Sequence, residues 1–88
     1  MQDIITKFRI YEALEAHFDA VDAAWEADPE NESIEATWDE AYADLHAAGE
    51  AVAAEIVKFT AGIIDMKTAR RMLVEKREEL ERLISKAA

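Results

Sequence analysis

The chain has no cysteine, one proline, two glycines and two serines, and each shortage closes off a chemistry. Without cysteine there are no disulfides, no thiolate metal ligands and no thiol nucleophile, and the redox compartment is left open. Gly49 and Gly62 stand alone, whereas phosphate cradles need glycine-rich loops. Ser33 and Ser85 fall near expected helix ends, so nothing resembles an activated nucleophile. No run of about 18 apolar residues exists, and Met1 to Phe8 lacks the continuous apolar stretch of a signal peptide. A soluble, cytoplasmic protein without a membrane partner is the default expectation.

Basic residues are scarce too: ten Lys and Arg face twenty Asp and Glu, a net charge of -10. Charge of this size bears on solubility and partner choice rather than on fold, and it makes nucleic acid a poor direct partner. The imbalance is uneven. Met1 to Glu55 holds 15 acidic residues against Lys7 and Arg9, a net of -13, while Ile56 to Ala88 holds 5 against 8 basic ones, a net of +3. A basic last segment packing across an acidic hairpin accounts for part of this.

At 88 residues there is room for a single domain. Hydrophobic residues make up 51% of the chain, but alanine supplies many of them, so the expected core is thin and carried by a few large side chains. There is no internal repeat, no low-complexity tract and no strand signal.

Ile4, Phe8, Tyr11, Leu14, Phe18, Val21 and Trp25 recur every three or four residues, which lines them along one face of a helix. Asp3 is a candidate cap at its start. Pro29 disfavours the helical conformation at Asp28, so this helix should end near Ala27. The next start can be read at Asp28 with Pro29 behind it, at Ser33, or at Thr37 with Glu40 as a capping box. The second seam carries Ile34, Trp38, Ala41 or Tyr42, Leu45, Ala48 or Gly49, Val52, Ile56 and Phe59. Gly49 costs about 1 kcal/mol inside a helix relative to Ala and so marks a close crossing or a bend. Gly62 suits the left-handed position that ends a helix, with Ile63 folding back onto Val57. Asp65 then caps a third helix carrying Met66, Ala69, Leu73, Leu80, Leu83 or Ile84, and Ala87, with Arg77–Glu81 and Glu78–Arg82 spaced as exposed ion pairs.

The expected fold is all-α, a single domain over 1–88 with helices about 3–27, 33–61 and 65–87. Short turns predict a three-helix antiparallel bundle. The alternative is a long helical hairpin plus a third helix that dimerises.

A second column runs beside the first seam: Glu12, Glu15, Asp19, Asp22 and Glu26 step by three and four and are all carboxylates. Such neighbours repel by roughly 0.2–0.5 kcal/mol per pair, so folding alone gives no reason to align them. Glu35, Asp39, Glu40 and Asp44 on the second helix extend the negative surface. These nine residues are the candidate partner-binding site. Metal chemistry has weaker support: His17 has no acidic neighbour on its face, His46 has only Glu50 at the next turn, and the Glu-x-x-His pattern of di-iron helical proteins does not occur. Lys67, Arg70, Arg71, Lys76 and Arg77 could suggest a nucleic-acid-binding helix, but Glu75, Glu78, Glu79 and Glu81 nearly neutralise it. Phe8, Phe18, Trp25, Trp38, Tyr42 and Phe59 read as core. Helices so rich in alanine cannot enclose all of them, and an exposed one would be a binding anchor. Trp25 and Trp38 flank the first turn and are placed to pack together.

The reading is therefore of a non-enzymatic protein without metal or cofactor. It would act as an inhibitor or adaptor of phage or mobile-element type, docking its carboxylates on a basic, nucleic-acid-binding type of surface of a partner protein. The alternative function is a structural module that self-associates through its apolar seam as a homodimer.

Overall fold

The two long seams form a helical hairpin, and the remainder of the chain folds back onto its open end. The computed structural model describes residues 2–87, which form α1 (Gln2–Ala27), α2 (Glu32–Phe59), α3 (Met66–Val74) and α4 (Arg77–Ala87), with no strand among them. Among the described residues no helix is long and apolar enough to cross a membrane. Asp3 sits inside the first turn of α1 rather than capping it. The hairpin turn is closed by Asn31, not by Asp28, Ser33 or Thr37. The Asn31 Oδ1 accepts hydrogen bonds from the Ser33 and Ile34 N–H groups at 3.0 and 3.3 Å, and its Nδ2 donates to Asp28. Asn31 thus caps α2 while tying the cap to the end of α1, which a cap at either flanking position could not do. Thr37 turns its hydroxyl back to the Ser33 carbonyl instead.

Along the hairpin α1 and α2 run antiparallel, with Lys7 opposite Glu55, Tyr11 opposite Gly49 and Phe18 opposite Trp38. Gly49 marks a close crossing: a Cβ there would lie 3.2 Å from the Tyr11 ring, with a Leu73 methyl at 3.8 Å. The loss of helix propensity at Gly49 is the condition for seating a large ring in the core.

α2 ends at Phe59, two residues before the expected bound, and its left-handed closing position falls one residue before Gly62. The Gly62 N–H bonds the Val57 carbonyl at 2.9 Å and the Ala61 N–H bonds the Lys58 carbonyl, the paired bonds of a Schellman ending. The left-handed residue that such an ending requires is Ala61 (φ 53), and Gly62 (φ 84) follows it. Ile63 does not fold back onto Val57; it is 89% exposed. The Thr60 hydroxyl bridges the turn, donating to the Ile56 carbonyl and accepting from the Ile64 N–H, and Asp65 caps α3 through the Thr68 N–H.

The expected single helix over 65–87 is two helices. No glycine or proline interrupts it, but the apolar stripe steps seven positions from Leu73 to Leu80, with Lys76 and Arg77 where an apolar residue is due. A continuous helix would put Lys76 in the middle of the buried face. The chain breaks at Glu75–Lys76 and leaves Lys76 exposed. The Leu73 carbonyl, which in a continuous helix would accept the Arg77 N–H, accepts the Arg77 Nε at 3.0 Å instead. Arg77 therefore pairs with Leu73 and, across the fold, with Glu15 rather than with Glu81.

The antiparallel three-helix arrangement is accordingly replaced by a ring of four contacts: α1 packs on α2 and α4, and α3 packs on α2 and α4. The core lies inside this ring at the open end of the hairpin, where Ile4, Phe8, Tyr11, Val52, Ala53, Ile56, Ala69, Met72, Leu73 and Leu80 are buried together. Ile4, Val52, Ile56 and Leu80 are nearly or fully inaccessible, and such burial contributes about 1.5–3 kcal/mol per side chain. The molecule is 46 Å long, whereas the nine residues of α3 span only about 14 Å, so the turn end of the hairpin projects beyond α3 and α4.

Ala61 carries a side chain where backbone geometry favours none, so Ala61→Gly should stabilise the protein by about 1 kcal/mol, read as a raised midpoint in urea unfolding at unchanged slope.

Candidate functional site

From Ile10 to Val57 the chain has no Lys or Arg at all and 14 carboxylates. This stretch is most of the hairpin, so every cation that neutralises it comes from elsewhere in the chain. Lys7 reaches Glu55 at 2.6 Å with Lys58 at 3.9 Å from the same oxygen, Arg70 reaches Glu50 at 2.8 Å, and Arg77 reaches Glu15 through both guanidinium NH2 groups at 3.3 and 2.8 Å.

The α1 carboxylate column divides in two. Its alternating steps of three and four make Glu12, Asp19 and Glu26 one row at seven-residue spacing and Glu15 and Asp22 another, rotated toward the core. The outer row is exposed and the inner row half-buried. The inner pair is used within the fold. Glu15 holds Arg77, and Asp22 accepts the Trp38 indole N–H at 2.9 Å. Among the described residues Glu12, Asp19 and Glu26 make no ion pair.

The four α2 candidates also separate. Three helical turns are close to eleven residues. Asp39 stands eleven residues before Glu50, on the flank where α3 lies, and Glu35 shares that side one turn earlier. Asp44 stands eleven before Glu55, on the flank of Lys7, with Glu40 one turn from it. The fold thus brings Asp19, Asp22, Glu26, Glu35 and Asp39 around one face near the turn, continues it with Glu12 and Glu15 beside α4, and sends Glu40 and Asp44 to the opposite flank. The nine candidates do not make one surface.

Between the two acidic rims lies an aromatic floor. Trp38 and Tyr42 stack at 5.4 Å and 10°, and Tyr42 stacks on His46 at 6.4 Å and 12°. Phe18 leans on both Trp38 and Tyr42 from α1, and Trp25 packs against Trp38 at 6.2 Å. Trp25 and Trp38 are half-buried; Tyr42 is the exposed member at 52%. This ladder runs into a groove of about 250 Å³ lined by Tyr11, Tyr42, Leu45, His46, Gly49, Glu50, Arg70, Leu73 and Val74. Val74, at the end of α3, is 80% exposed at its mouth. The spacing of Trp38, Tyr42 and His46, each four apart, was a readable sign of the ladder. Nothing in the sequence pointed to Val74, because its exposure follows from the break after α3.

Glu50 is held below the ordinary carboxylate range by the hydrogen bond from Arg70, against the effect of burial, so it is engaged by Arg70 and leaves His46 to stack. Glu55 is held low by the Lys7 ammonium despite its burial, and Asp65 by the Thr68 N–H it accepts. Arg77 lies over the rings of Phe8 and Tyr11, 5.6 and 5.3 Å from their centroids, and burial pushes the Tyr11 phenol up. No group of three or more His, Asp or Glu able to hold a metal occurs among the described residues. Comparison of the chain with protein-family models, curated proteins and solved structures found no match to any of them.

Arg77→Ala removes a forked carboxylate pair, two ring contacts and the substitute partner of the Leu73 carbonyl, and should cost about 2–3 kcal/mol in denaturant unfolding. Arg77→Lys should recover less than half, because a single ammonium cannot reproduce the fork.

The Glu55 carboxylate binds protons more weakly folded than unfolded, so its contribution is complete above about pH 4.3 and is lost as pH falls through the lowered folded value. The stability difference between the native protein and Glu55→Gln should accordingly be largest near neutral pH and close in acid, as measured by urea unfolding at stepped pH.

Proposed function

We propose that the protein acts in the cytoplasm without catalysis, as an acidic helical protein-binding module. It would be an inhibitor or adaptor of phage or mobile-element type that docks its carboxylate-rich face on a basic surface of a partner, such as one that otherwise holds nucleic acid. The observation that carries this reading is the surplus of exposed carboxylates on the α3–α4 side of the hairpin. Asp19, Glu26, Glu35 and Asp39 have no ion-pair partner among the described residues, and no cation lies between Ile10 and Val57 to supply one. Helices fix these charges on a rigid frame, which suits them to steer a basic partner and to stand where phosphates would.

Self-association through the apolar seam has less to work with. Ile4, Phe8, Val52 and Ile56, the large residues of that seam, are buried inside the chain's own ring of helices.

Glu15 and Asp22 are poor probes of binding, since changing them disturbs the contacts with Arg77 and Trp38. The informative variant is Asp19→Lys with Glu26→Lys, Glu35→Lys and Asp39→Lys. Affinity capture from the source cells' lysate should recover a basic protein in low salt and lose it in high salt, and the fourfold variant should not capture it. Glu40→Lys with Asp44→Lys on the other flank should retain it. Capture that is insensitive to salt and survives the fourfold change would overturn the reading.

A further inference from the structure

The groove and the aromatic ladder continue the face on which α3 and α4 lie, and the way those helices are held identifies what else fits there. α3 and α4 present Ala69, Met72, Leu73 and Leu80 to the hairpin. At the margins Arg70 reaches across to Glu50 on α2 and Arg77 to Glu15 on α1. The covered half of the hairpin is therefore an apolar floor between two carboxylate rims, filled by helices with an apolar stripe and arginines at its edges.

The uncovered half repeats this plan. Its floor is Phe18, Trp38 and Tyr42, one rim is Asp19 and Glu26, and the other is Glu35 and Asp39. Among the described residues it has neither a covering helix nor arginines. Tyr42 at 52% and Val74 at 80% exposure leave the floor open to solvent where α3 stops, and the groove of about 250 Å³ joins the two halves. The Asp22 carboxylate holds the Trp38 indole N–H at 2.9 Å, which keeps the largest ring of the floor oriented before anything binds.

We infer that this half-groove receives a basic amphipathic helix from a partner protein, seated end-on to α3, with its apolar stripe on Trp38 and Tyr42 and its Arg or Lys side chains on the two carboxylate rims. The inference rests on the acidic docking reading and narrows it from a charged surface to a grooved one. Charge selects a foreign helix over a second copy: the chain carries -10 overall, and its own Arg70, Arg71 and Arg77 are already paired with Glu50, Glu75 and Glu15.

The test uses the full chain and two synthetic peptides of one composition, rich in Leu, Ala, Arg and Lys and about four helical turns long. In one the leucines form a stripe at three- and four-residue spacing; in the other their order is scrambled so that no stripe forms. Trp38 belongs to the floor and Trp25 packs against it at 6.2 Å, so with tryptophan-free peptides the protein's fluorescence reports on the floor. The striped peptide should shift the emission, bind at least tenfold more tightly than the scrambled one, and become helical on binding. Tyr42→Ala, which removes an exposed ring and leaves the buried core intact, should weaken the striped peptide about tenfold and leave the scrambled one unchanged.

Equal binding of both peptides with no effect of Tyr42→Ala would overturn the groove while leaving the acidic docking reading in place. Loss of binding by neither peptide in high salt would overturn the docking reading as well. A failure of the striped peptide to shift the tryptophan emission, or a dimer in light scattering that dissociates on Tyr42→Ala, would show the groove to be occupied otherwise and overturn the inference.

Discussion

Arg77 is the contact on which the arrangement of the second half of the chain depends. Its Nε satisfies the carbonyl that the helix break at Glu75–Lys76 orphans, its two NH2 groups hold Glu15 on α1, and its plane covers Phe8 and Tyr11. Each of these alone is modest, and a partly exposed ion pair contributes little by itself. Their value lies in sharing one side chain: the same ordered guanidinium closes α3, docks α4 on α1 and roofs the core. Tyr11, pressed between that guanidinium and the gap left by Gly49, transmits the constraint to α2. A break that would cost stability in isolation becomes the joint that turns α4 back over α1.

The two long helices were legible in the sequence because their signals are local and redundant. Seven apolar positions in phase, and a proline immediately after Asp28, fix α1 with little room for error. What was not legible depended on contacts distant in sequence. The break after Val74 has no glycine or proline to announce it; its only trace is the polar pair Lys76 and Arg77 where the stripe calls for an apolar residue, and the decisive partner, Glu15, lies 62 residues away. The left-handed position at Ala61 was hidden for the opposite reason. Gly62 is such a strong signal that it drew the assignment one residue too far. Capping by Asn31 over its neighbours was settled by a side chain–side chain bond to Asp28 that propensity cannot weigh.

The carboxylate column shows how much of a surface can be read from spacing. Its existence was visible, and so was the need for a basic counterpart. Its division was also latent in the alternating steps, since the row of 12, 19 and 26 and the row of 15 and 22 stand side by side at a fixed angular offset around the helix. Which row would turn inward depended on the side from which α4 approaches. That is set by the Arg77 joint, so the inner carboxylates serve the fold and the outer ones are left over.

That remainder is physically costly to keep. Like charges at helical neighbours destabilise the compact state, and a hairpin tip without a covering helix leaves large rings half in water. A chain under pressure for stability alone would place Lys or Arg among Asp19, Glu26, Glu35 and Asp39, as α3 and α4 do opposite Glu50 and Glu15. At the covered end Glu50 and Glu15 each hold an arginine, while Glu12 beside α4 holds none; at the open end neither rim has one among the described residues. The contrast lies within one hairpin, between two halves of one face, and follows the presence or absence of a helix on top. An apolar floor with unpaired acidic rims is half of the packing unit that the molecule already completes once with its own α3 and α4.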